Sequence, residues 1–486
     1  MIENLPLLTL HIFSPLLGAL FIFLFLRDEK IIKISALSVS LVGVALSLYL
    51  YFNFLEGVAH YQFEDKFAWF KGSDIYFHIG VDSISLPFVL LTNFLIFIGI
   101  LCSWDNIKHR VKEYMVMFLV MQSLIIGAFV AVDVILFYIF FEAVLIPMFF
   151  IIGIWGGERR VYAAYKFFLY TLFGSIFLLI SIIHAYQLSG SSSMIEMTNA
   201  LPRHPLSVQK MIWIGFFMSF AIKIPMWPFH TWLPDAHVQA PTAGSVVLAG
   251  ILLKMGGYGF IRLSLFMLPE ASNYFFDFVS ILSMVAIIYA SFLAFRQTNI
   301  KKLIAYSSVA HMGYVTIAIF AGNLYGIHGA MFQMISHGLI SAGLFLMVGM
   351  LSDRFHTKEI GEFGGLAKTM PKFTIILAVF VFSSVALPGT SGFIGEFLAL
   401  IAVYKVNVFY AFIAASGMVF GAVYMLRLYK MVALGNKNPD KKAYDLNGIE
   451  FYMLLSIVVL VLILGIYPSV VTNIVDPVAK MFVENF

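Results

Sequence analysis

Cysteine and charged residues are both scarce in this sequence of 486 residues. The single cysteine, Cys102, excludes a disulfide framework and a cysteine-ligated metal or iron–sulfur centre within the chain. Charged side chains form 12% of the sequence, whereas a soluble domain carries about 25%. The net charge of +4 is too small to indicate a nucleic-acid partner. This composition excludes a soluble enzyme, a secreted disulfide scaffold and a disordered chain.

Apolar residues take the place of the missing charges. They make up 61% of the chain, with 51 phenylalanines, and a soluble fold cannot cover that much apolar surface. Windows of about 20 apolar residues, the length that crosses a bilayer, predict membrane spans. The predicted spans are 5–26, 31–54, 83–103, 113–131, 133–153, 163–187, 208–236, 241–262, 273–295, 303–321, 326–349, 373–403, 406–431 and 450–472. We therefore predict an all-α polytopic membrane protein with 14 helices, one lipid-embedded domain over 1–486.

The basic residues of the loops divide unequally between the two sides of this topology. One side carries 21 lysines and arginines and the other carries 7, while Lys223 and Lys254 lie inside spans. Loops rich in Lys and Arg face the cytoplasm, so both termini are predicted to lie on the opposite side of the cytoplasmic (inner) membrane. The first span lacks the charged start and cleavage site of a signal peptide, which predicts a retained helix.

Two long spans contain helix-breaking residues. Span 7 carries Ile-Pro-Met-Trp-Pro at 224–228, and span 12 carries Leu-Pro-Gly-Thr-Ser-Gly at 387–392. Proline removes a backbone donor, and a bilayer tolerates the break only beside protein or a water-filled cavity. Matching breaks five helices apart predict two inverted repeats, spans 4–8 (113–262) and spans 9–13 (273–431). The alternative is a pair of unrelated proline kinks.

Six ionisable side chains lie near the centres of predicted spans, where a charge costs about 2.5–3.5 kcal/mol to insert. They are Glu142 in span 5, Lys223 in span 7, Lys254 in span 8, His311 in span 10, His337 in span 11 and Glu396 in span 12. Polar residues four positions away share their helix faces: Tyr138, Tyr258 and Ser307, and the pair Gln333 and Ser341 around the span-11 histidine. The pattern predicts a buried proton relay of carboxylates, lysines and imidazoles.

Each of these groups also has a structural alternative. Glu142 and Lys223 would form a static ion pair, either histidine would be a satisfied core residue, and Glu396 would cap the half-helix after its break. Lys254 has no carboxylate in its own span, so a static role is harder to supply. Asp133 is interpreted as the N-cap of span 5 and not as part of a site.

Metal and nucleotide sites are not predicted. His230, Asp235 and His237 have a spacing that fits no familiar metal site. The glycines at 256, 257 and 259 lack the form of a phosphate-binding loop and are expected to allow close helix packing. No cofactor is expected in this chain.

Several stretches resemble one known family. His-Thr-Trp-Leu-Pro-Asp-Ala-His-Val-Gln-Ala-Pro-Thr-Ala-Gly at 230–244 and Leu-Ala-Gly-Ile-Leu-Leu-Lys at 248–254 resemble the proton-antiporter-like family, which includes large membrane subunits of respiratory complex I and Mrp-type Na⁺/H⁺ antiporters. The stretches 141–148, 155–157 and 387–397 are similar to the complex I branch, in which the position of Glu396 carries Glu where sister subunits usually carry Lys. The resemblance covers nearly the whole chain.

The resemblance implies roles for individual residues. Glu142 and Lys223 match the ion-pair residues of the family, Lys254 its central lysine, His337 a connecting histidine and Glu396 its terminal carboxylate, while Lys166 falls in a stretch similar to the family's. It also implies fourteen helices with inverted five-helix repeats.

The implied function is proton translocation in the membrane arm of an NADH:quinone oxidoreductase, driven by quinone reduction elsewhere in the complex. NADH, FMN, iron–sulfur clusters and quinone would bind other subunits, and the partners would be neighbouring antiporter-like subunits and lipids, with no nucleic acid. The alternatives are an Mrp-type Na⁺/H⁺ antiporter subunit, a membrane subunit of a related hydrogenase complex, and a structural membrane scaffold.

Overall fold

The computed structural model of the chain describes residues 6–69, 75–434 and 444–485. Four of the basic loop residues counted above, Lys71, Lys437, Lys441 and Lys442, lie outside these ranges. The helices of the first half are α1 Leu7–Phe25, α2 Glu29–Asn53, α3 Leu86–Cys102, α4 Val111–Val130, α5 Val134–Ala143, α6 Leu145–Trp155, α7 Arg160–Ser189, α8 Met194–Ala200, α9 Leu206–Lys223, α10 Trp232–Gln239 and α11 Thr242–Val247.

The second half continues in the same helical pattern. Its helices are α12 Leu253–Gly259, α13 Pro269–Tyr274, α14 Phe276–Arg296, α15 Ile300–Phe320, α16 Leu324–Phe355, α17 Leu366–Thr369, α18 Pro371–Ser384, α19 Ser391–Val406, α20 Val408–Tyr429, α21 Gly448–Ile466 and α22 Ser469–Asn485. Short 3₁₀ helices occupy Leu201–Arg203 and Ile360–Glu362, and π-helical turns occupy Leu248–Leu252, Phe260–Leu265 and Lys430–Leu434.

Each predicted span overlaps a helix of the structure. Among the described residues, 11 helices are long and apolar enough to cross a membrane. The three remaining spans correspond to α3, which has 17 residues, and to the two interrupted pairs α9/α10 and α18/α19. The prediction of an all-α polytopic membrane protein is therefore confirmed. The side on which the termini lie stays a prediction.

The two predicted interruptions are present. α9 ends at Lys223, and helix does not resume until α10 begins at Trp232. α18 ends at Ser384, and α19 begins at Ser391. Between the latter two, Gly389 has φ +91°, a left-handed conformation that glycine adopts without the strain of a side chain. The breaks place a lysine at the last residue of α9 and a carboxylate in the second turn of α19.

The chain divides into two compact units. Unit one contains the described residues up to Ile224, with Ile251–Phe275 and the residues from Asn473 onward; unit two contains Pro225–Gly250 and the described residues of Phe276–Thr472. The repeat boundaries 113–262 and 273–431, and the inversion of one repeat relative to the other, stay predictions.

The acidic segment before α3 contains a β-hairpin that the sequence pattern did not predict. Strand β1 Gln62–Ala68 pairs antiparallel with β2 Tyr76–Val81, and Phe67 lies opposite Phe77. Its polar strand, with Glu, Asp and Lys in the middle, lacks the apolar alternation that indicates a strand. Asp82, which follows β2 directly, is buried, with 2% of its surface exposed.

The C-terminal helix α22 was also not predicted. Its apolar residues recur every three or four positions, and Ile474, Val478 and Phe482 are buried while Asp476 and Lys480 form an ion pair at 2.5 Å. Apolar residues confined to one face keep such a helix below the hydropathy of a span.

The predicted N-cap of α5 is confirmed. Asp133 Oδ1 accepts hydrogen bonds from the backbone N–H groups of Ile135 at 2.9 Å and Leu136 at 3.1 Å. Ser192 also donates its hydroxyl to the Asp133 carboxylate. The carboxylate thus satisfies donors at the start of α5, the helix that carries Glu142 at its other end.

Two glycines of α12 allow it to pack closely on α9. A Cβ atom at Gly256 would lie 2.8 Å from the backbone nitrogen of Ile224 and 3.0 Å from the carbonyl oxygen of Phe220, and one at Gly259 would lie 2.3 Å from the Phe220 ring. The expectation that this glycine run permits close helix packing is confirmed. The contact brings together the helices that carry Lys223 and Lys254.

We predict that Gly256→Ala destabilises the protein, because the added methyl group meets backbone atoms that cannot rotate away. Overpacking of this kind costs about 1–3 kcal/mol. Gly361→Ala is the matched control, since a Cβ atom there meets nothing within 4 Å. The measurement is the thermal unfolding midpoint of the detergent-solubilised protein. Equal midpoints for the two variants would show that α9 and α12 are not in this close contact.

Candidate functional site

Glu142 is the penultimate residue of α5 and is only partly buried. The Ser175 hydroxyl of α7 lies within hydrogen-bonding contact of the Glu142 carboxylate. The same hydroxyl lies 2.9 Å from the carbonyl oxygen of Thr171, one turn earlier on α7. Tyr138, on the face of α5 that carries Glu142, interacts electrostatically with the carboxylate. Glu142 therefore has a hydroxyl partner and retains access to the surroundings of the chain.

Lys223 is the last residue of α9, and its side chain is 2% exposed. Its Nζ has no hydrogen-bond partner among the residues that the structure describes. The ammonium lies 4.4 Å from the ring centroid of Phe141, the neighbour of Glu142, and interacts coulombically with the Glu142 carboxylate. The aromatic face supplies part of the stabilisation that water would give. The structure thus brings Glu142 and Lys223 together without a direct hydrogen bond between them.

Lys254 lies in α12 and is fully buried. The short helix is bounded by the π-helical turns Leu248–Leu252 and Phe260–Leu265, a feature that often marks functional positions. One turn further along, Tyr258 donates its hydroxyl to the carbonyl oxygen of Phe129 at 2.8 Å. Unit one therefore contains a carboxylate and two buried lysines on packed helices.

Unit two contains a hydrogen-bonded histidine and glutamate. His311 Nδ1 of α15 lies 2.6 Å from Glu396 Oε1 of α19, and both residues are buried. The other ring nitrogen of His311 lies 3.2 Å from the Ser384 hydroxyl at the end of α18. Gln333 of α16 donates to Glu396 Oε1 at 3.3 Å. Four helices therefore converge on one titratable pair.

A small cavity adjoins this pair. The ring of His337 lies on its wall, 5.6 Å from the ring of His311 between centroids. The cavity is lined by a ring of polar residues, Ser307, Ser308, His311, Gln333, His337, Ser341, Ser383, Ser384 and Glu396. A cavity of this size is close to the lower limit for holding one water molecule. The predicted polar stripe of span 11 faces this cavity.

A second small cavity also borders this pair. His311, Ser384 and Glu396 line both cavities, and Tyr314 and Tyr424 line the second. Tyr314 donates its hydroxyl to the carbonyl oxygen of Ala414 at 2.8 Å. The His311–Glu396 pair therefore borders two cavities.

Glycines again set the approach of the helices that form the site. A Cβ atom at Gly329 of α16 would lie 2.6 Å from the backbone nitrogen of Ala399, and one at Gly395 of α19 would lie 2.7 Å from Gln333 Cα. Because neither position has room for a side chain, α16 and α19 meet backbone to backbone. This contact places Gln333 within reach of Glu396.

The histidines near the first break have aromatic neighbours. His230 lies 5.9 Å from Tyr289 between ring centroids, and His237 stacks on Phe345 at 4.3 Å. Within the described ranges, no three His, Cys, Asp or Glu side chains are grouped as a metal site. Lys166 lies on α7 with its Nζ 5.8 Å from the Tyr162 ring.

One buried ion pair was missed at the sequence level. Arg262 and Asp82 are 7% and 2% exposed and are joined by a hydrogen-bonded salt bridge. Each residue stands at the edge of a predicted span, where a charged side chain is expected to lie outside the membrane. The available signal was the four-residue spacing of Lys254, Tyr258 and Arg262, which places them on one helical face.

Comparison with known proteins defines the class of this chain. A profile of the family described as "NADH:quinone oxidoreductase/Mrp antiporter, TM" matches residues 131–423. The chain belongs to this family, and the resemblance stated above is confirmed.

Among similar proteins, the "NADH-quinone oxidoreductase subunit M" of Rickettsia prowazekii is 49% identical over 477 residues, covering 97% of each chain. A chain of respiratory complex I from Thermus thermophilus has 29% identity and a TM-score of 0.90, with 98% of this chain and 99% of that chain covered. A chain of the Mrp complex from Dietzia sp. has a TM-score of 0.89 over 99% and 98% of the two chains, but 17% identity. At this low identity, the similarity to the Mrp chain shows only that the two chains share a fold.

We predict that Glu396→Ala lowers stability more than Glu396→Gln does. The alanine variant leaves His311 and Gln333 buried without their acceptor, a loss of about 1–3 kcal/mol, whereas glutamine retains a carbonyl oxygen. Thermal unfolding midpoints in detergent measure the difference. Identical midpoints for the two variants would argue against these hydrogen bonds.

Proposed function

We propose that this chain translocates protons as a membrane-arm subunit of an NADH:quinone oxidoreductase. The observation that carries the proposal is the presence, in each unit, of a membrane-buried cluster of side chains that can bind and release protons. The relatives with nearly 50% identity over almost the whole chain support the choice of complex. Ionisable residues inside membrane spans are costly and generally mark ion or proton paths.

In unit one, the proposed chemistry depends on the coupling between Glu142 and Lys223. An opposite charge nearby favours the charged form of each group. A change in the position or protonation of Glu142 therefore changes how readily Lys223 releases its proton. Because Lys223 Nζ has no hydrogen-bond partner in the described part of the chain, few contacts oppose its movement. Lys254, on the helix packed against α9, is the next proposed proton carrier in this unit.

In unit two, the proposed carrier is the His311–Glu396 pair together with His337. A hydrogen bond of 2.6 Å between an imidazole and a carboxylate allows one proton to be held by either partner. Water in the serine-lined cavity would connect the pair to His337, since direct transfer requires hydrogen-bonding distance. The two ring nitrogens of His311 contact Glu396 and Ser384, which suits a group that accepts a proton on one side and donates on the other.

The energy for this transfer would come from quinone reduction in other subunits. NADH, FMN, iron–sulfur clusters and quinone are proposed to bind there, and this chain is proposed to contribute the proton path. Neighbouring antiporter-like subunits would flank it in the cytoplasmic (inner) membrane, with both termini on the non-cytoplasmic side. The exposed apolar residues of α1 and α7, such as Leu17 and Leu169, fit contact with lipid or with such neighbours.

The alternative of an Mrp-type antiporter subunit has weaker support. It rests on fold likeness at 17% identity, and residue 396 is Glu where sister subunits of the family usually carry Lys. A structural scaffold would not require six ionisable groups within its spans.

We predict that Lys223→Ala and Glu142→Ala each lower NADH-driven proton pumping by about tenfold or more, since each removes a group that transfers or controls the proton. NADH oxidation should fall with it because the two processes are coupled. The measurements are the pH gradient formed by inside-out membrane vesicles and the oxidation rate, both normalised to assembled complex. Lys405→Ala is the control, because this lysine is exposed at the end of α19.

Unchanged pumping by an assembled complex that carries Lys223→Ala would leave only the scaffold role. A pumping rate that requires Na⁺ at constant NADH oxidation would favour the antiporter alternative.

A further inference from the structure

The buried Arg262 occupies the end of unit one at which the β-hairpin lies. The backbone N–H of Val132, just after α4, donates to the carbonyl oxygen of His78 in β2 at 2.9 Å, so the hairpin covers this end of α4. Asp82 follows the same strand. On α12 and its π-helical extension, Lys254, Tyr258 and Arg262 follow one another at intervals of four residues. Arg262 thus stands two turns from Lys254 in the direction of the hairpin.

The guanidinium bridges two partners. Its Nε donates to the Tyr258 hydroxyl at 3.2 Å, and its Nη2 forms the ion pair with Asp82 Oδ1. The backbone nitrogens of Ile84 and Ser85 donate to the same Asp82 oxygen at 3.2 and 3.0 Å. These backbone bonds fix the carboxylate, and the carboxylate fixes the arginine.

The hydrogen bonds of Tyr258 and Arg262 run in one direction, away from the guanidinium. Tyr258 has one hydroxyl hydrogen and donates it to the Phe129 carbonyl oxygen at 2.8 Å, while it accepts from Arg262. Arginine has five N–H donors and no acceptor, and it is not deprotonated in proteins. The Arg262 guanidinium also lies 5.3 Å from the Tyr258 ring and 5.4 Å from the Tyr61 ring between centroid and Cζ, so aromatic groups pack around it.

We infer that Arg262, held by Asp82 and Tyr258, is a barrier that prevents protons from passing between Lys254 and the hairpin end of unit one. The inference rests on the proposed function, because a barrier is needed only if Lys254 carries a translocated proton. A fixed cation within a narrow polar passage repels protons and other cations, as arginines do in selective pores. Without this barrier, we expect a proton on Lys254 to reach the hairpin end of unit one and the gradient to fall.

The test measures passive proton permeability in the assembled complex without turnover. Inside-out vesicles receive an imposed pH gradient in the absence of NADH, and a pH-sensitive dye follows its decay. We expect Arg262→Met to raise the decay rate per assembled complex by about twofold or more, because the cationic barrier is gone. Arg262→Lys keeps the charge and should restore the slow decay. Arg354→Met is the matched control, since it removes another arginine–carboxylate pair, the one that Arg354 forms with Glu450 at 2.6 Å in unit two.

An unchanged decay rate in an assembled Arg262→Met complex would overturn the barrier. If that variant does not assemble, Arg262→Gln, which keeps a donor against Asp82, is expected to show the same faster decay. Failure of both variants to assemble would assign the ion pair to folding alone and would also overturn the inference. The result is independent of the proposed function, since pumping by the Glu142 and Lys223 variants is measured with NADH and this leak is measured without it.

Discussion

The cost of placing a charge in a hydrocarbon environment is the constraint on which this structure depends. A helix that carries a buried lysine or glutamate must offer it a partner, an aromatic face or a polar cavity. Lys223 lies against the Phe141 ring near a carboxylate, and Glu396 accepts from His311 and Gln333. In each case the compensation is partial or is shared among several groups.

The helix breaks and the glycines determine where the charged side chains lie and how closely their helices pack. The break after α9 ends that helix at the buried Lys223. The break before α19 places Glu396 in the second turn of a new helix. Close packing at Gly256 and Gly395 then brings helices near enough for side chains to meet across them. Local sequence, helix geometry and site chemistry therefore support one another within each unit.

Apolar length and proline position were sufficient to predict the spans, both breaks and the six ionisable residues within the spans, because each depends on a short stretch of sequence. Contacts between distant stretches were not predictable. The His311–Ser384 contact joins residues 73 positions apart, and Arg262 pairs with Asp82 across 180. The hairpin and α22 were missed because the apolar residues that stabilise them are too few to resemble a span. Such contact partners can be identified only once the packing of the helices is known.

The backbone contact between α16 and α19 limits how unit two can work. Gly329 and Gly395 lie against the main chain of the opposing helix. This close packing opposes sliding or tilting of the two helices against each other. If unit two carries protons as proposed, the movements that this close packing permits are rotamer changes and the reorientation of hydroxyls and water. The helices themselves would stay in place, unlike those of a carrier that rocks as a whole.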